Sequence, residues 1–246
     1  MTSKIERYWE QRSENYNNLE WTINKKYINN LIDCSELSKD HLVLDVGSGT
    51  GVVAVNIKNK VSSVFALDIS NQMLNKGNWN EISFIKWDIR KPLFDKMVFD
   101  RIIARMVFHH ILKDIEHAFY RCYNCLKVGG KMIIAEAVPP SSSDLVIRWF
   151  SDMFSYKEDR VTFIPGQLEE YLDKVGFLKI KSFFFSMPNF SINNWIVNSG
   201  LSQDKINIIL KMHIDAPKEV KEAYDMRIDG NNILINSKYT IVVGEK

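Results

Sequence analysis

The sequence lacks any strong excess of charge of one sign. Its 246 residues include 32 basic and 30 acidic side chains, so the formal net charge is only +2 at pH 7, and no run of basic residues is longer than two. Proteins that bind nucleic acid or anionic membrane surfaces usually carry a basic patch. The balance of charge therefore predicts neither partner.

The sequence also lacks a long apolar run and has few cysteines. No apolar stretch approaches the roughly 20 residues that a membrane-spanning helix requires. The first residues, MTSKIERYWEQRSENYNNLEW, are polar and charged, unlike a signal peptide. Three cysteines leave one unpaired within the chain, which is typical of a reducing compartment. We expect a cytoplasmic protein that does not insert into a membrane; its oligomeric state is left open.

Two of the cysteines, Cys122 and Cys125, form a C-x-x-C pair. A tetrahedral zinc site would need a second pair, which the sequence does not contain. We interpret both as structural cysteines and expect no metal site.

Short apolar runs alternate with amphipathic segments from residue 41 onward. The predicted strands are 42–46, 63–68, 82–88, 98–104 and 131–137, followed later by 177–187 and 233–243. The predicted helices between the first five strands are 51–59, 71–78 and 111–126. Strands that alternate with helices indicate an α/β protein built on a parallel sheet.

The first strand leads into a turn with three glycines, in the stretch VLDVGSGTGVVAV at residues 43–55. A glycine-rich turn between a strand and a helix brings backbone N–H groups close to a ligand. The spacing here is G-x-G-x-G, whereas the dinucleotide fingerprint is G-x-G-x-x-G. Asp45 precedes the first glycine and would repel a phosphate, but it suits a cationic amino-acid group or a loop that needs an acceptor for its own N–H groups. A dinucleotide oxidoreductase is therefore a weaker alternative.

Two more acidic residues stand at predicted strand ends. Asp68 ends the second strand, where a carboxylate can accept hydrogen bonds from both hydroxyls of a ribose. Asp88 and Ile89 end the third strand, where an acid and an apolar residue could bracket an adenine. The alternative is that these acids cap the helices that follow.

The motifs LDVGSGTG, FALDIS, IKWDIRKPLF, FDRIIARMVFHHI and LKVGGKMIIAEA occur in this order over about residues 5–185. Together they resemble the class I S-adenosylmethionine-dependent methyltransferases, in particular the small-molecule branch that includes the ubiquinone/menaquinone C-methyltransferases. The resemblance implies S-adenosylmethionine as cofactor. It also implies a Rossmann-like seven-stranded mixed sheet in the order 3-2-1-4-5-7-6, with strand 7 antiparallel and helices on both faces. Seven strands are predicted from the sequence as well.

The resemblance assigns cofactor roles to residues at matching positions. It places Asp45 and the loop of Gly47, Ser48, Gly49, Thr50 and Gly51 against the methionine part, and Asp68 on the ribose. It places Ile69 and Met73 beside the adenine, Asp88 and Ile89 at the adenine edge, and Arg105 beside the methionine part through its backbone. Tyr8 and Tyr16 resemble aromatic residues of a lid, so residues 1–40 are expected to form a helical lid; simple helix packing is the alternative for both tyrosines.

Candidate catalytic residues follow the fourth strand. His109 or His110 could act as a base if the acceptor atom must lose a proton, although either could instead cap a helix or bind a cofactor carboxylate. Residues 104–107 read Ala-Arg-Met-Val, where methylases of exocyclic amines or glutamine amides carry Asn/Asp-Pro-Pro-Tyr/Phe. This argues against a DNA adenine methylase and a release-factor methylase.

The chain departs from the family pattern at residues 188–232, which we expect to be a helical cap insertion between strands 6 and 7. The core would then be 41–187 and 233–246. Since strand 6 ends on the ligand side of the sheet, the insertion and residues 139–164 should cover an apolar acceptor. The candidate lining residues, each of which could instead be core, are Trp149, Phe150, Phe154, Trp195, His213 and Tyr224.

These observations predict transfer of a methyl group to an O, N or C atom of a small, aromatic or lipid-like molecule. The alternatives are an RNA methyltransferase and a non-catalytic protein that binds S-adenosylmethionine.

Overall fold

A mixed sheet forms the centre of the computed structural model, which describes residues 4–77, 79–92 and 97–246, with side chains from residue 8 onward. Its strands are β1 Leu42–Val46, β2 Ser63–Asp68, β3 Ser83–Lys86, β4 Phe99–Arg105, β5 Leu126–Ala137, β6 Leu178–Ser191, β7 Arg227–Asp229 and β8 Asn232–Glu245. Their order is β3-β2-β1-β4-β5-β8-β6, and β7 pairs with β8. The strands β3, β2, β1, β4 and β5 are parallel, and β8 is antiparallel to both β5 and β6.

This topology confirms the predicted strand order, with β8 as the expected antiparallel strand 7. The short β7 is an eighth strand that the sequence did not indicate. It forms a hairpin with the start of β8, in which Asp229 pairs with Asn232. Such a short strand carries too few residues to show an alternating pattern.

Helices flank the sheet on both faces. They are α1 Lys4–Ser13, α2 Lys25–Ser35, α3 Val52–Ile57, α4 Asn71–Asn75, α5 Ile115–Cys125, α6 Asp144–Lys157, α7 Gln167–Val175, α8 Ile192–Val197, α9 Gln203–Ile214 and α10 Lys218–Ala223. Short 3₁₀ turns occupy Tyr16–Asn18, Glu20–Ile23, Lys58–Lys60 and Phe108–His110. Asn24, Ser70 and Ser191 start α2, α4 and α8 because their side-chain oxygens accept a backbone N–H of the first turn.

Several predicted bounds were wrong. The predicted helix 111–126 begins only at Ile115, because Asp114 before it has a φ of +58°, which a right-handed helix excludes. β5 begins at Leu126, directly after α5. The segment 188–232 is not wholly helical: its first residues extend β6 to Ser191 and its last ones form β7. Between these strands it does contain the three helices α8, α9 and α10.

Alternate residues of the strands pack against different helices, because successive side chains of a strand point to opposite faces. Leu44 and Ile102 are fully buried in one cluster with α5 and α7. Val43 and Ile103 are fully buried in another cluster with α2 and α3. A third apolar cluster joins α6, α8, α9 and α10 to the start of β8. This third cluster stands beyond the carboxyl ends of the parallel strands and forms the surroundings of the site.

Candidate active site

The glycine loop after β1 folds back closely on neighbouring side chains. Gly47 and Gly51 have φ angles of +63° and +79°, a region that side chains disfavour. A Cβ atom on Gly47 would lie 2.3 Å from Cγ2 of Val107, and one on Gly51 would lie 2.8 Å from the ring of Trp79. Both positions therefore require glycine on two independent grounds.

Asp68 at the end of β2 holds this loop in place. Its Oδ2 accepts a hydrogen bond from the backbone N–H of Gly49 at 2.8 Å, and its Oδ1 accepts one from Ser70 at 2.8 Å. Burial raises the pKa of Asp68, whereas these N–H donors lower it. The carboxylate also borders a cavity, so it has further acceptor capacity for a ligand.

This cavity, called the cofactor cavity here, encloses about 750 Å³ of empty space, part of it open to solvent. It lies at the carboxyl ends of β1, β2 and β4, where ligands bind in open α/β sheets. The predicted cofactor residues that border it are Tyr16, Gly47, Gly49, Asp68, Ile69, Met73, Asp88, Ile89 and Arg105. The predicted residues that do not border it are Tyr8, Asp45, Ser48, Thr50 and Gly51.

Asp45 supports the loop from inside the protein. Its Oδ2 accepts the backbone N–H of Ala54 in α3 at 3.1 Å. Burial raises the pKa of Asp45 to about 7, although the charge of Arg105 lowers it. The structure thus places this carboxylate where the loop and helix need an acceptor, and not on the cavity wall.

Several residues of the cofactor cavity were given no role from the sequence, among them Arg90 and Trp87. Arg90 binds the carboxylate of Asp88 with its Nη2 at 2.7 Å and its Nε at 3.0 Å. Partial burial alone would raise the pKa of Asp88, but the hydrogen bonds from Arg90 lower it. Trp87 precedes Asp88 and also borders the cavity. An aromatic residue before the acid and a basic residue two positions after it were the available signals.

Arg105 connects the site to the N-terminal segment, which comprises α1 and the 3₁₀ turns Tyr16–Asn18 and Glu20–Ile23. Its Nη1 donates to the carbonyl oxygen of Thr22 at 2.8 Å, and its guanidinium lies 5.4 Å from the centroid of the Trp21 ring. The side chain is therefore held by protein groups.

A second cavity, called the acceptor cavity here, lies between α6, α8, the end of β6, the first part of β8 and the N-terminal segment. It contains about 830 Å³ of empty space, part of it open to solvent. Of the predicted lining residues, Phe150, Phe154, Trp195 and Tyr224 border it.

Trp149 and His213, which were also predicted to line the acceptor, do not border the acceptor cavity. Their rings pack edge to face with centroids 5.0 Å apart, and both are buried in the apolar cluster. Nδ1 of His213 donates to the carbonyl oxygen of Ile209 at 2.7 Å. Burial lowers the pKa of His213 to about 4.

The two cavities share one wall. Trp9, Tyr16, Met106 and His110 border both of them. His109 borders the acceptor cavity alone. The sequence did not single out Trp9, although it lies one position after Tyr8 among the aromatic residues of the first segment.

Charged side chains gather around Glu158, directly after α6. Its Oε2 accepts hydrogen bonds from Arg12 at 2.7 Å, from Lys157 at 2.5 Å and from the hydroxyl of Tyr8. Burial alone would raise the pKa of Glu158, but the surrounding positive charges, above all that of Lys157, hold it well below its usual range. Tyr8 therefore anchors α1 to this acid instead of bordering the cofactor cavity.

A buried Glu136–His109 pair lies beside this group. Oε2 of Glu136 is 2.6 Å from Nδ1 of His109, and its Oε1 accepts the backbone N–H groups of Val107 and His109. Burial, with the charge of Arg160, lowers the pKa of His109 well below its usual value, so its imidazole is neutral. Burial raises the pKa of Glu136 to about 7. Glu136 was missed from the sequence, although it is the single acid in the apolar strand segment MIIAEA.

A sheet with a glycine loop after β1 and an acid at the end of β2 defines a Rossmann-like, cofactor-binding class of protein. Residues 44–134 match the family described as methyltransferase domain. These matches and those that follow confirm the class predicted from the sequence, a class I S-adenosylmethionine-dependent methyltransferase.

Two curated relatives are similar to this chain. The ubiquinone/menaquinone biosynthesis C-methyltransferase UbiE of Wigglesworthia glossinidia brevipalpis is 28% identical over 129 residues, which cover 48% of this chain and 51% of the relative. The phosphoethanolamine N-methyltransferase of Plasmodium falciparum is 30% identical over 146 residues, which cover 56% of this chain and 53% of the relative. The chain thus spans about half the length of each.

The fold matches a solved structure over most of the chain. The YcgJ protein from Bacillus subtilis superposes with a TM-score of 0.79 at 18% identity, covering 89% of this chain and 97% of that one. Among the described residues, no helix combines the length and apolar character needed to cross a bilayer. The cytoplasmic location stays a prediction.

Replacing Gly47 with Ala should weaken both folding and cofactor binding, because the new methyl group would collide with Val107. Gly129→Ala is the matched control: Gly129 also has a positive φ, +77°, but an added Cβ would meet nothing within 4 Å. Both variants should lose about 1–2 kcal/mol to backbone strain, and only Gly47→Ala should lose about 1–3 kcal/mol more to overpacking. Urea unfolding measures the free energy of unfolding of both variants. Equal losses would contradict the close approach to Val107.

Replacing Glu158 with Gln should destabilise the protein at pH 7 by roughly 3 kcal/mol or more, because Arg12 and Lys157 lose a buried partner. Since the folded-state pKa of Glu158 is lowered, its charge stabilises the fold above the unfolded-state value of about 4.3, and this contribution is lost as the pH falls further. Urea midpoints from pH 7 to pH 3 should therefore fall less steeply for Glu158→Gln than for the unmodified protein. Glu170→Gln, at an exposed position of α7, is the control and should follow the unmodified protein.

Proposed function

We propose that the protein methylates a small molecule held in the acceptor cavity, with S-adenosylmethionine held in the cofactor cavity. S-adenosylmethionine supplies a methyl group bonded to a positively charged sulfur. The shared wall of Trp9, Tyr16, Met106 and His110 is the observation that carries the proposal. Methyl transfer by direct displacement depends chiefly on bringing donor and acceptor together in line. Two cavities that meet at one wall suit this requirement.

The residues of the cofactor cavity fit the chemical parts of this cofactor. The loop at Gly47 and Gly49 has no side chains there, which leaves room for the amino-acid part beside backbone N–H groups. Asp68 keeps acceptor capacity for the ribose hydroxyls. Ile69 and Met73 provide apolar contact for the adenine.

The remaining residues of this cavity complete the assignment. Trp87 and Ile89 offer further apolar surface for the adenine, and Asp88, fixed by Arg90, offers an acceptor at its edge. Arg105 would contact the methionine part through its backbone, since Thr22 engages its side chain.

The acceptor cavity supports a small, aromatic or lipid-like acceptor. Phe150, Phe154, Trp195 and Tyr224 provide aromatic surface on its wall. Trp195 comes from α8 and Tyr224 directly follows α10, so the segment 188–232 acts as the proposed cap. The names of the two relatives, a C-methyltransferase of quinone biosynthesis and a phosphoethanolamine N-methyltransferase, are consistent with a small acceptor.

His109 is the proposed base for an acceptor atom that must lose a proton. When Glu136 is ionised, Nδ1 of His109 donates to it, which leaves a lone pair on Nε2. Nε2 lies 3.8 Å from Oε1 of Glu158, and His109 borders the acceptor cavity. Glu136 is then a positioning residue that fixes the orientation and tautomer of His109, as a buried acid does for a catalytic histidine elsewhere. His110, on the shared wall, is proposed to contact both ligands.

Titration with S-adenosylhomocysteine by calorimetry should show binding to one site, and Asp68→Asn should weaken it roughly tenfold to hundredfold because a charge-assisted hydrogen-bond acceptor is lost. Asp100→Asn is the matched control: Asp100 also accepts a backbone N–H, that of Leu42, but lies at the amino end of β4. It should bind like the unmodified protein. No binding, or tighter binding of NADH, would overturn the proposed cofactor.

Replacing Glu136 with Gln should switch His109 from the Nδ1–H to the Nε2–H tautomer. The single amide oxygen of Gln would be retained by the N–H groups of Val107 and His109, so its NH₂ group would face Nδ1 and donate to it. Imidazole ¹⁵N chemical shifts measure this switch. His213 is an internal reference, because its Nδ1 donates to a carbonyl oxygen in both proteins. An unchanged tautomer at His109 would contradict the positioning role of Glu136.

A further inference from the structure

One end of the acceptor cavity carries more positive than negative charge. Two guanidinium groups, Arg12 and Arg160, border the cavity there with Lys157 and a single acid, Glu158. Burial lowers the pKa of Lys157 to about 7, so the two arginines carry most of the positive charge at pH 7. The side chains are buried, with exposed fractions of 7% for Arg12, 4% for Lys157 and Arg160, and 2% for Glu158. The other nearby acid, Glu136, does not border the cavity and already accepts two backbone N–H groups. The cavity wall is therefore cationic at this end.

Donor groups at this end also lack acceptors. Nη2 of Arg160 and Nε of Arg12 are buried, and no described residue accepts a hydrogen bond from them. Nη1 of Arg160 lies 3.8 Å from Glu158, beyond hydrogen-bond distance. Buried donors on a charged group are costly unless a partner binds them. A ligand with negatively charged oxygens would provide that partner.

Aromatic rings surround the same cations. The guanidinium of Arg160 lies 4.1 Å from the ring centroid of Phe154, and Nζ of Lys157 lies 5.2 Å from that of Trp195. These rings line the rest of the cavity and hold the charged groups in place from the apolar side. The wall thus joins an apolar surface to a cationic end.

We infer that the methyl acceptor carries an anionic oxygen group, a carboxylate or a phosphate, which Arg160, with Lys157 and Arg12, holds beside an apolar body. This inference rests on the proposed function, because it concerns the second ligand of the same site. It adds the charge of the acceptor to the apolar character already proposed. None of the three cations borders the cofactor cavity, so the group they hold belongs to the acceptor.

A metal ion is the competing occupant. His109, His110 and Glu158 each offer a ligand atom, and these atoms lie within 4.8 Å of one another. However, Arg12 and Lys157 already bind the carboxylate of Glu158. A divalent cation would have to displace them and would add charge to a region that is already positive. The charges therefore favour an anion.

The test is a calorimetric titration of the protein, saturated with S-adenosylhomocysteine, with four ligands that share one ring: phenyl phosphate, benzoate, phenol and benzylamine. At least one anionic compound should bind about tenfold or more tightly than phenol, and benzylamine should bind more weakly than phenol. Comparison of phenyl phosphate with benzoate distinguishes a phosphate from a carboxylate group. Equal affinities for phenol and both anions would overturn the inference.

Arg160→Gln should reduce the affinity for the preferred anion about tenfold or more and leave the affinity for phenol nearly unchanged. Arg148→Gln is the control, because Arg148 is an exposed residue of α6. Lys157→Met keeps the apolar stem and should likewise lose affinity for the anion but not for phenol. This variant provides the test if Arg160→Gln does not fold. An equal loss for phenol and the anion would contradict charge recognition.

Two further measurements separate the possible failures. Binding of S-adenosylhomocysteine is measured first for every variant and tests the cofactor site alone. A loss of this binding would contradict the proposed function and would not test the charge of the acceptor. Titration with Zn²⁺ tests the metal: stoichiometric binding that disappears in Glu158→Gln would overturn the inference of an anion.

Discussion

The hydrogen bonds from Gly49 and Ser70 to the carboxylate of Asp68 are the interactions on which the cofactor cavity depends. The hydrogen bond from Gly49 joins the loop after β1 to the end of β2, and the one from Ser70 fixes the carboxylate from its own strand end, so the two strand ends form one concave surface. Glycines with positive φ allow the loop to bend this sharply against Val107 and Trp79. The same carboxylate must then accept hydrogen bonds from the backbone and from a ligand. This is possible because a carboxylate has about four acceptor positions.

A second group of interactions, centred on Glu158, organises the acceptor cavity. Tyr8 and Arg12 reach this acid from α1, whereas Lys157 reaches it from α6. Burial of so many ionisable groups is unfavourable unless they are paired, so the hydrogen bonds of Tyr8 and Arg12 to Glu158 also fix the position of α1. The same cluster around Glu158 therefore positions the N-terminal segment and sets the charge of the acceptor cavity.

Local patterns predicted the individual strands and helices, because each depends on residues that are near one another in the sequence. The alternation of strands and helices indicated a parallel α/β sheet, whereas its strand order was implied by the resemblance to the methyltransferase family. Asp68 was singled out from its position at a strand end. The roles of Glu136 and Glu158 were not found in this way, because they depend on His109 and Arg12, which are 27 and 146 residues away. The pattern of aromatic residues likewise could not show that Trp149 faces α9 and α10 while Phe154 faces the cavity, since both lie on one apolar helix.

The shared wall has a consequence for how ligands enter and leave. Trp9 and Tyr16 both belong to the N-terminal segment and border both cavities. Any displacement of this segment would therefore open the two cavities together and break its contacts with Glu158. Because an anionic acceptor would neutralise the cations that share this acid, we expect the occupant of the acceptor cavity to affect the segment that borders both cavities. Under the proposed function, the two binding events would then be coupled through Arg12, the side chain that joins α1 to the charged end of the acceptor cavity.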